Sequence, residues 1–266
     1  MTYMNDVWLG VIEGITEFLP ISSTGHLLVA EHWLGARSDT YNIVIQAGAI
    51  LAVTLIYWRR LVELLTNWSD PDNRDYLFKL LIAFGITAAL GLIVKKLGFE
   101  LPTTITPIAW ALLIGGFWII AAEHFAAKLP DSTRITLRVA VAVGLAQIVA
   151  GVFPGTSRSG ATIFVAMLLG TSNRAAATEF AFLVGIPTMY AASGYELLKQ
   201  FTHGAHHQVE NWTSLGIAFV VSTITAFIAV KWLLGYIQVH RFTIFAVYRI
   251  LFGGLLLALT ATGTLG

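Results

Sequence analysis

The sequence contains no cysteine, and it has few charged residues. Without cysteine, disulfide bonds, zinc–thiolate sites and thiol nucleophiles are excluded. Only 12% of the 266 residues are charged, against roughly a quarter in ordinary soluble domains. The 16 Lys and Arg nearly balance the 15 Asp and Glu, and no basic run typical of nucleic-acid-binding proteins is present, so we expect no nucleic-acid partner.

Hydrophobic residues, in contrast, make up 56% of the chain, and the mean hydropathy is +0.75, as in multi-span membrane proteins. Residues 1–6 lack the basic start of a cleavable signal peptide, so we expect this segment in the mature protein. A membrane-spanning helix needs about 20 apolar residues, with about 17 as a lower limit. Six segments qualify: 41–57, 77–94, 105–122, 180–198, 214–234 and 242–262.

Two further apolar regions, 7–34 and 139–170, are each interrupted by proline, serine, threonine and glycine. The resulting halves of about 10 to 15 residues are too short to cross a bilayer alone. These regions are either kinked spans or re-entrant hairpins, which are tolerated only where the loop is buried in protein or lines a cavity. Hairpins place ten Lys and Arg on the cytoplasmic side and four on the other, whereas full spans divide the same fourteen eight against six, a weaker positive-inside signal.

We therefore predict an all-α integral membrane protein with six transmembrane helices and two re-entrant hairpins, forming a single membrane domain over 1–266. Its two repeats cover about 1–122 and 135–262. Three spans separate the hairpins, so the repeats have inverted topology, the hairpin tips meet inside the membrane and both termini are periplasmic. The repeat is visible in the sequence as six matched pairs: Gly10 with Gly144, Glu13 with Gln147, Pro20 with Pro154, Gly25 with Gly160, Leu34 with Leu169 and Gly35 with Gly170.

The first interruption carries two carboxylates. Glu13 and Glu17 are four residues apart and share one helical face until Pro20 ends the helix. Carboxylates this close repel each other unless a cation or a proton intervenes. The pair predicts a site for Mg²⁺ or Ca²⁺, whose remaining ligands are water and substrate phosphate. The alternative is that one carboxyl is protonated and the other accepts hydrogen bonds from a neighbouring turn.

A cluster of hydroxyl groups and one imidazole follows this proline. At least one of Ser22, Ser23 and Thr24 caps the second half-helix, and unpaired N–H groups at such a start bind anions. Ser22, Thr24 and Gly25 are therefore candidate substrate-binding residues. A serine beside a histidine can attack phosphorus, with Ser23 as nucleophile and His26 as general base or acid. The alternative is a buried, structural His26.

The second interruption centres on Arg158. A guanidinium between apolar half-helices needs an anion, because an unpaired charge is costly in lipid. Its planar fork donates two parallel hydrogen bonds to a phosphate, and nearby hydroxyls and backbone amides add others. The remaining candidates for phosphate binding are Thr156, Ser157, Ser159, Gly160 and Thr162. The alternative is a buried ion pair of Arg158 with Glu17 or Glu179.

One further arginine, Arg249, lies about one turn inside the last predicted span. A long cationic side chain in this position usually keeps its charge at the membrane interface. We therefore expect Arg249 to extend to the cytoplasmic interface.

The chain resembles the bacterial undecaprenyl-diphosphatase family, also called bacitracin-resistance proteins. Its two signature motifs are similar to Glu13-Gly-Ile-Thr-Glu17-Phe-Leu-Pro-Ile-Ser-Ser-Thr-Gly-His26 and Pro154-Gly-Thr-Ser-Arg158-Ser-Gly-Ala-Thr162. Length, span pattern and the segment 179–187 also fit, so the resemblance covers essentially the whole chain. It implies a phosphatase of the bacterial cytoplasmic membrane that removes the terminal phosphate of the lipid undecaprenyl diphosphate. This reaction recycles the cell-wall lipid carrier and depletes the target of bacitracin.

The resemblance also implies a divalent-cation requirement and an active site open to the periplasm. The family's acidic pair falls on Glu13 and Glu17, its candidate nucleophile on Ser23, its histidine on His26 and its phosphate-binding arginine on Arg158. Water activated by Glu17 or His26 is an open alternative to the serine. The sequence does not distinguish a monomer from a homodimer, nor does it define the preferred polyprenyl chain length.

Two other classes of protein compete with an enzyme. Inverted repeats with broken helices are the usual architecture of secondary transporters, and a lipid-phosphate flippase is the specific form. An ion channel is weaker, because it does not call for an arginine facing paired glutamates. Carboxylates, hydroxyls, an imidazole and a guanidinium together exceed what anion binding needs, so the pattern favours an enzyme.

Overall fold

The computed structural model describes residues 3–98, 104–203 and 211–264, and all regular secondary structure within these ranges is α-helical. Six of the helices are long and apolar enough to cross a membrane. In chain order the helices are α1 Tyr3–Thr16, α2 Ser23–Leu34, α3 Asp39–Ile56, α4 Trp58–Thr66, α5 Pro71–Lys96, α6 Ile105–Ala126, α7 Leu137–Val152, α8 Arg158–Gly170, α9 Arg174–His203, α10 Trp212–Val239 and α11 Thr243–Ala261.

The six candidate spans are α3, α5, α6, α9, α10 and α11, and each corresponds to one of the six predicted segments. Their outward faces are apolar: Phe117, Ile228 and Leu251 are all more than half exposed. Such extensive exposed apolar surface is typical of contact with lipid. The chain is therefore a multi-pass integral membrane protein, as predicted.

The four helices of the two interrupted regions are shorter. α1 and α2 have 14 and 12 residues, and α7 and α8 have 16 and 13, all below the length of about 17 that a span requires. α1 packs along α10, and α7 packs along α5. Both contacts are close because a glycine lies at each of them. A Cβ at Gly10 would lie 2.7 Å from the carbonyl oxygen of Ala218, and one at Gly144 would lie 2.7 Å from that of Ala83.

The largest buried apolar cluster lies around these short helices. Phe18 and Leu19 of the first interruption, together with Phe164 of α8 and Phe182 of α9, belong to it and are almost fully buried. Phe18 and Phe182 pack edge to face, with ring centroids 5.1 Å apart. Several polar residues of the two interruptions, among them Glu17 and Ser159, are thus buried beside this apolar cluster.

Candidate active site

Each interruption ends in a serine that caps the helix after it. Ser22 accepts a hydrogen bond from the N–H of Gly25 at 3.4 Å, and Ser157 accepts one from the N–H of Gly160 at 3.2 Å. Both serines have positive φ, 74° and 70°, and in the described part of the chain no other non-glycine residue does. Such conformations are strained in L-residues and tend to lie at functional sites. The capping predicted at the first interruption is confirmed, and the cap at Ser157 is a second one that was not predicted from the sequence.

The two interruptions contact each other. The Ser159 hydroxyl lies 3.2 Å from the carbonyl oxygen of Leu19 and 3.4 Å from that of Glu17. It also lies 3.1 Å from the Ser157 hydroxyl. The predicted contact between the two segments is therefore confirmed, and Ser159 is part of it.

Glu17 is the centre of the site. Its Oε2 accepts a hydrogen bond from the Ser23 hydroxyl at 2.5 Å, and its Oε1 accepts one from the Arg158 guanidinium at 2.5 Å. Glu17 and Ser23 are both less than one-tenth exposed, whereas a quarter of the Arg158 side chain is accessible. Of the two ion pairs considered for Arg158, the one with Glu17 forms. Glu179 instead lies 3.4 Å from Arg60.

Glu13 lies one helical turn before Glu17, because the Glu17 N–H donates to the Glu13 carbonyl oxygen at 2.9 Å. The Glu13 side chain is 1% exposed and interacts with the Glu17 carboxyl group. Its Oε2 atom is buried and has no hydrogen-bond partner. A buried orphan oxygen beside a second carboxylate is suited to a hard cation or a proton. Within the described ranges no three His, Asp or Glu side chains converge, so a cation here would need water or substrate as further ligands.

His26 is not hydrogen-bonded to Ser23. Its Nδ1 donates to the carbonyl oxygen of Ser22 at 2.6 Å, and its Nε2 lies 2.6 Å from the Tyr248 hydroxyl oxygen. The imidazole also stacks on Phe252, with ring centroids 4.5 Å apart. The role of His26 in moving a proton stays a prediction. Tyr248 had no signal in the sequence, since it is 222 positions away in an apolar span.

The other candidates occupy varied positions. The Thr162 hydroxyl donates to the carbonyl oxygen of Arg158 at 2.8 Å, within α8. Thr24 is exposed. Thr156 is half-buried, and its carbonyl oxygen accepts a hydrogen bond from Arg249 at 3.0 Å. The structure thus gathers Glu13, Glu17, Ser23, Arg158, Ser159 and Thr162 around one point, with Ser22, Gly25, Ser157 and Gly160 forming the helix starts beside it.

Arg249 does not extend to the interface, so that prediction was wrong. It is 1% exposed, and its guanidinium donates hydrogen bonds to five backbone carbonyl groups. Backbone carbonyls freed where a helix is broken need donors when water is excluded. Arg249 donates to three such carbonyls, those of Pro20, Gly155 and Thr156, and its other two bonds go to Ala111 and Leu112 inside α6. These bonds outweigh the preference of the side chain for water.

A small pocket lies beside Glu17 and Arg158. The lining residues are Glu17, Phe18, Arg158, Ser159, Thr162, Ala181, Phe182, Gly185 and Met189, so apolar side chains of α9 share the pocket with the two charged residues. A pocket with both charged and apolar lining suits a ligand with a charged head and an apolar chain.

A family model and curated relatives match nearly the whole chain. Residues 6–255 match the family model for the bacitracin resistance protein BacA. The chain is 73% identical over 263 residues to the undecaprenyl-diphosphatase of Rhizobium etli, with 99% of each chain covered. It is 63% identical over 249 residues to the undecaprenyl-diphosphatase of Xanthomonas euvesicatoria pv. vesicatoria, with 94% of each covered. The family expected from the two motifs is confirmed, and the chain belongs to the BacA family of bacitracin resistance proteins.

Proposed function

We propose that this protein is an undecaprenyl-diphosphate phosphatase of the bacterial cytoplasmic membrane, which recycles the cell-wall lipid carrier and confers bacitracin resistance. The observation that carries the proposal is the position of Glu17, which binds both the Ser23 hydroxyl and the Arg158 guanidinium. A carboxylate, a hydroxyl and a cation from two distant segments form the minimum set for phosphoryl transfer to serine. Relatives that are 73% and 63% identical to this chain carry the name of this activity.

The proposal gives each of these three side chains a role. Glu17 takes the proton of the Ser23 hydroxyl, to which it is already hydrogen-bonded, and the Ser23 oxygen attacks the terminal phosphorus. The bond from this phosphorus to the bridging oxygen breaks, so undecaprenyl phosphate leaves, and water then hydrolyses the phosphoserine. Arg158 donates to the phosphate oxygens and stabilises their charge during the transfer. His26, through Ser22 and Tyr248, holds the start of α2 and is the alternative carrier of the proton.

Glu13 and Glu17 would hold the divalent cation, Mg²⁺ or Ca²⁺. The unpartnered oxygen of Glu13 supports this assignment, because a cation would satisfy it and would relieve the repulsion between the two carboxylates. When bound, the ion supplies positive charge that neutralises the diphosphate and polarises its oxygens. Ser159 and Thr162 line the space that the phosphates would enter.

The two interrupted regions are proposed to be re-entrant hairpins in an inverted repeat. Paired contacts support this arrangement. Thr225 of α10 donates to the carbonyl oxygen of Gly10 at 3.3 Å, and Thr87 of α5 donates to that of Gly144 at 3.1 Å. The two contacts correspond when α1 is exchanged for α7 and α10 for α5. In this topology the positive-inside count predicts that both termini are periplasmic, and the family resemblance implies that the active site opens to the same side.

The substrate would enter the site laterally from the bilayer. The pocket beside Glu17 supports this route, because Phe182 and Met189 of α9 line it together with Arg158 and Glu17. A C55 polyprenyl chain could stay in an apolar environment while its diphosphate reaches the charged residues. A soluble diphosphate lacks the apolar chain that this apolar lining accommodates, so we expect it to be a poor substrate.

Phosphate release tests the proposal. The purified protein in detergent is mixed with undecaprenyl diphosphate, with and without chelator, and inorganic phosphate is measured for the wild type, Arg158→Ala and Ser23→Ala. We expect release by the wild type, loss of release with chelator and no detectable release by Arg158→Ala. Most turnover retained in Ser23→Ala would rule out the serine as nucleophile and leave water activated by Glu17 or His26. If the wild type releases no phosphate with any divalent cation, a lipid-phosphate transporter becomes the better hypothesis.

A further inference from the structure

Arg249 lies on α11, outside both interruptions, yet its guanidinium contacts both of them and α6. The five donors of an arginine each find a backbone carbonyl oxygen as acceptor. Nε donates to Leu112 at 3.3 Å, Nη1 to Pro20 at 3.3 Å and Thr156 at 3.0 Å, and Nη2 to Ala111 at 2.9 Å and Gly155 at 3.0 Å. Pro20 belongs to the first interruption, and Gly155 and Thr156 belong to the second.

None of these five acceptors carries a charge. A buried cation is costly unless its hydrogen bonds are complete and well placed. Arg249 is therefore stabilised because all five of its N–H donors are hydrogen-bonded. The same five bonds connect α6 and the two interruptions to one rigid, planar guanidinium group. The surrounding backbone leaves room for this group. A Cβ at Gly115 would lie 2.0 Å from Nη2, and Gly155 has a φ of +91°, which brings its carbonyl to the guanidinium.

We infer that Arg249 is a positioning residue that holds the two interruptions at the separation at which Arg158 reaches Glu17. The ion pair between Arg158 and Glu17 joins the same two segments, but both of its members are expected to exchange partners with the substrate. Arg249 has no such role, because its donors are all occupied by backbone. It keeps the two segments in place while Arg158 turns from Glu17 to the phosphate. Its effect on catalysis rests on the proposed function, whereas its effect on position does not.

A disulfide between the two segments measures their separation directly. The chain has no cysteine, so Pro20→Cys with Gly160→Cys gives a single defined pair. A Cβ at position 160 would lie 3.4 Å from the Cβ of Pro20, close to the range of about 3.5–4.5 Å in disulfides. We expect rapid cross-linking under mild oxidant in this background. Adding Arg249→Lys or Arg249→Met should slow it about tenfold or more, because segments that drift apart meet disulfide geometry less often.

Two variants test whether an effect of changing Arg249 comes from the lost hydrogen bonds rather than from the lost charge or from misfolding. Arg249→Lys keeps the positive charge but offers three donors from one nitrogen, so it cannot bind all five carbonyls. Gly115→Ala keeps Arg249 and displaces its guanidinium, since the added methyl group would lie 2.6 Å from Cζ. Gly254→Ala, on α11 and facing open space, is the matched control. We expect slower cross-linking in the first two variants and no change in the control, with all three proteins monodisperse in detergent.

Turnover is measured in the same variants without the cysteines. We expect kcat to fall about 100-fold in Arg249→Lys and to fall in Gly115→Ala, because a displacement of about 1 Å costs this much in a positioned site. Unchanged cross-linking in Arg249→Met, or full kcat in Arg249→Lys, would overturn the inference. An inactive wild type would refute the proposed function alone, because the cross-linking comparison would still decide the role of Arg249.

Discussion

The two interruptions share a backbone and differ in chemistry. Each ends in a serine with φ near +70° that caps a helix through the glycine three residues later. Each begins on a helix whose glycine packs against a neighbouring backbone at the same distance. Corresponding positions nevertheless carry different side chains: Glu13 corresponds to Gln147, Glu17 to Gly151, Ser23 to Arg158 and His26 to Ala161.

This difference divides the proposed site between the two copies of the frame. The first copy carries the two carboxylates and Ser23, and the second carries Arg158. In the second copy, Gln147 takes the place of Glu13 and donates to the Thr87 hydroxyl at 3.2 Å, a contact that only holds helices together. Glu17 and Arg158 meet only because the two copies are in contact. The proposed function therefore depends on this contact as well as on the individual side chains.

The largest expected effect comes from removing the negative charge of Glu17, which pairs with Arg158 of the other copy. Glu17→Gln should lower phosphate release from undecaprenyl diphosphate by about 100-fold to 10,000-fold, because the amide cannot take the Ser23 proton and no longer pairs with Arg158. The measurement is kcat in detergent. Glu63→Gln, on the exposed surface of α4, is the matched control and should retain full turnover. Turnover within threefold of the wild type in Glu17→Gln would mean that Glu17 is only structural.

The next effect concerns the cation and compares Glu13 with its counterpart. Glu13→Gln gives the first copy the side chain that the second already has. We expect the Mg²⁺ concentration for half-maximal activity to rise about tenfold or more, because the affinity of an oxygen-ligand site depends on its charge. Gln147→Glu should leave this concentration unchanged, since Gln147 contacts Thr87 and not the Glu17 carboxylate. If Glu13→Gln and Gln147→Glu have the same Mg²⁺ concentration for half-maximal activity, Glu13 is not a ligand of the cation.

A smaller effect, on stability, tests whether the frame is truly repeated. In Gly10→Ala and Gly144→Ala the new methyl group would lie 2.7 Å from a carbonyl oxygen of α10 or α5, respectively. Both variants should lose about 1–3 kcal/mol, because overpacked contacts force helices apart. Thermal unfolding in detergent checks this, with Gly216→Ala, which faces open space on α10, as the control. A large loss in one variant and none in the other would contradict equivalent packing of the two repeats.

The sequence predicted the charged centre but not the residues that hold it. Glu13, Glu17 and Arg158 were evident because ionised side chains inside apolar segments are expensive and need a reason. Arg249 was misjudged because its five acceptors are carbonyl groups, which every residue has and which therefore leave no pattern. The Tyr248 contact of His26 was missed for a related reason: it joins residues 222 positions apart.

The ends of the spans were predicted less well than their number. α9 begins at Arg174, six residues before the predicted segment, since hydropathy counts polar residues against a span although a helix can include them. Arg174 is stabilised there by two hydrogen bonds to the buried Glu123, at 2.8 and 2.6 Å. Hydropathy thus locates the part of a helix in lipid, whereas ion pairs with neighbouring helices decide how far the helix continues beyond it.

The smallest expected effect concerns the positive φ angles of Ser22 and Ser157, and it tests whether each strained serine contributes to catalysis or only to folding. Ser22→Gly and Ser157→Gly each remove a cap, which costs only a few tenths of a kcal/mol with glycine, and each relieves a positive φ that glycine adopts freely. We expect both unfolding temperatures to change little. Turnover should fall more in Ser22→Gly, because Ser22 fixes the start of α2, where Ser23 faces Glu17, and holds His26 through its carbonyl. If Ser157→Gly instead has the greater effect, the second copy orients the reacting groups, and the division of labour between the copies proposed above would be reversed.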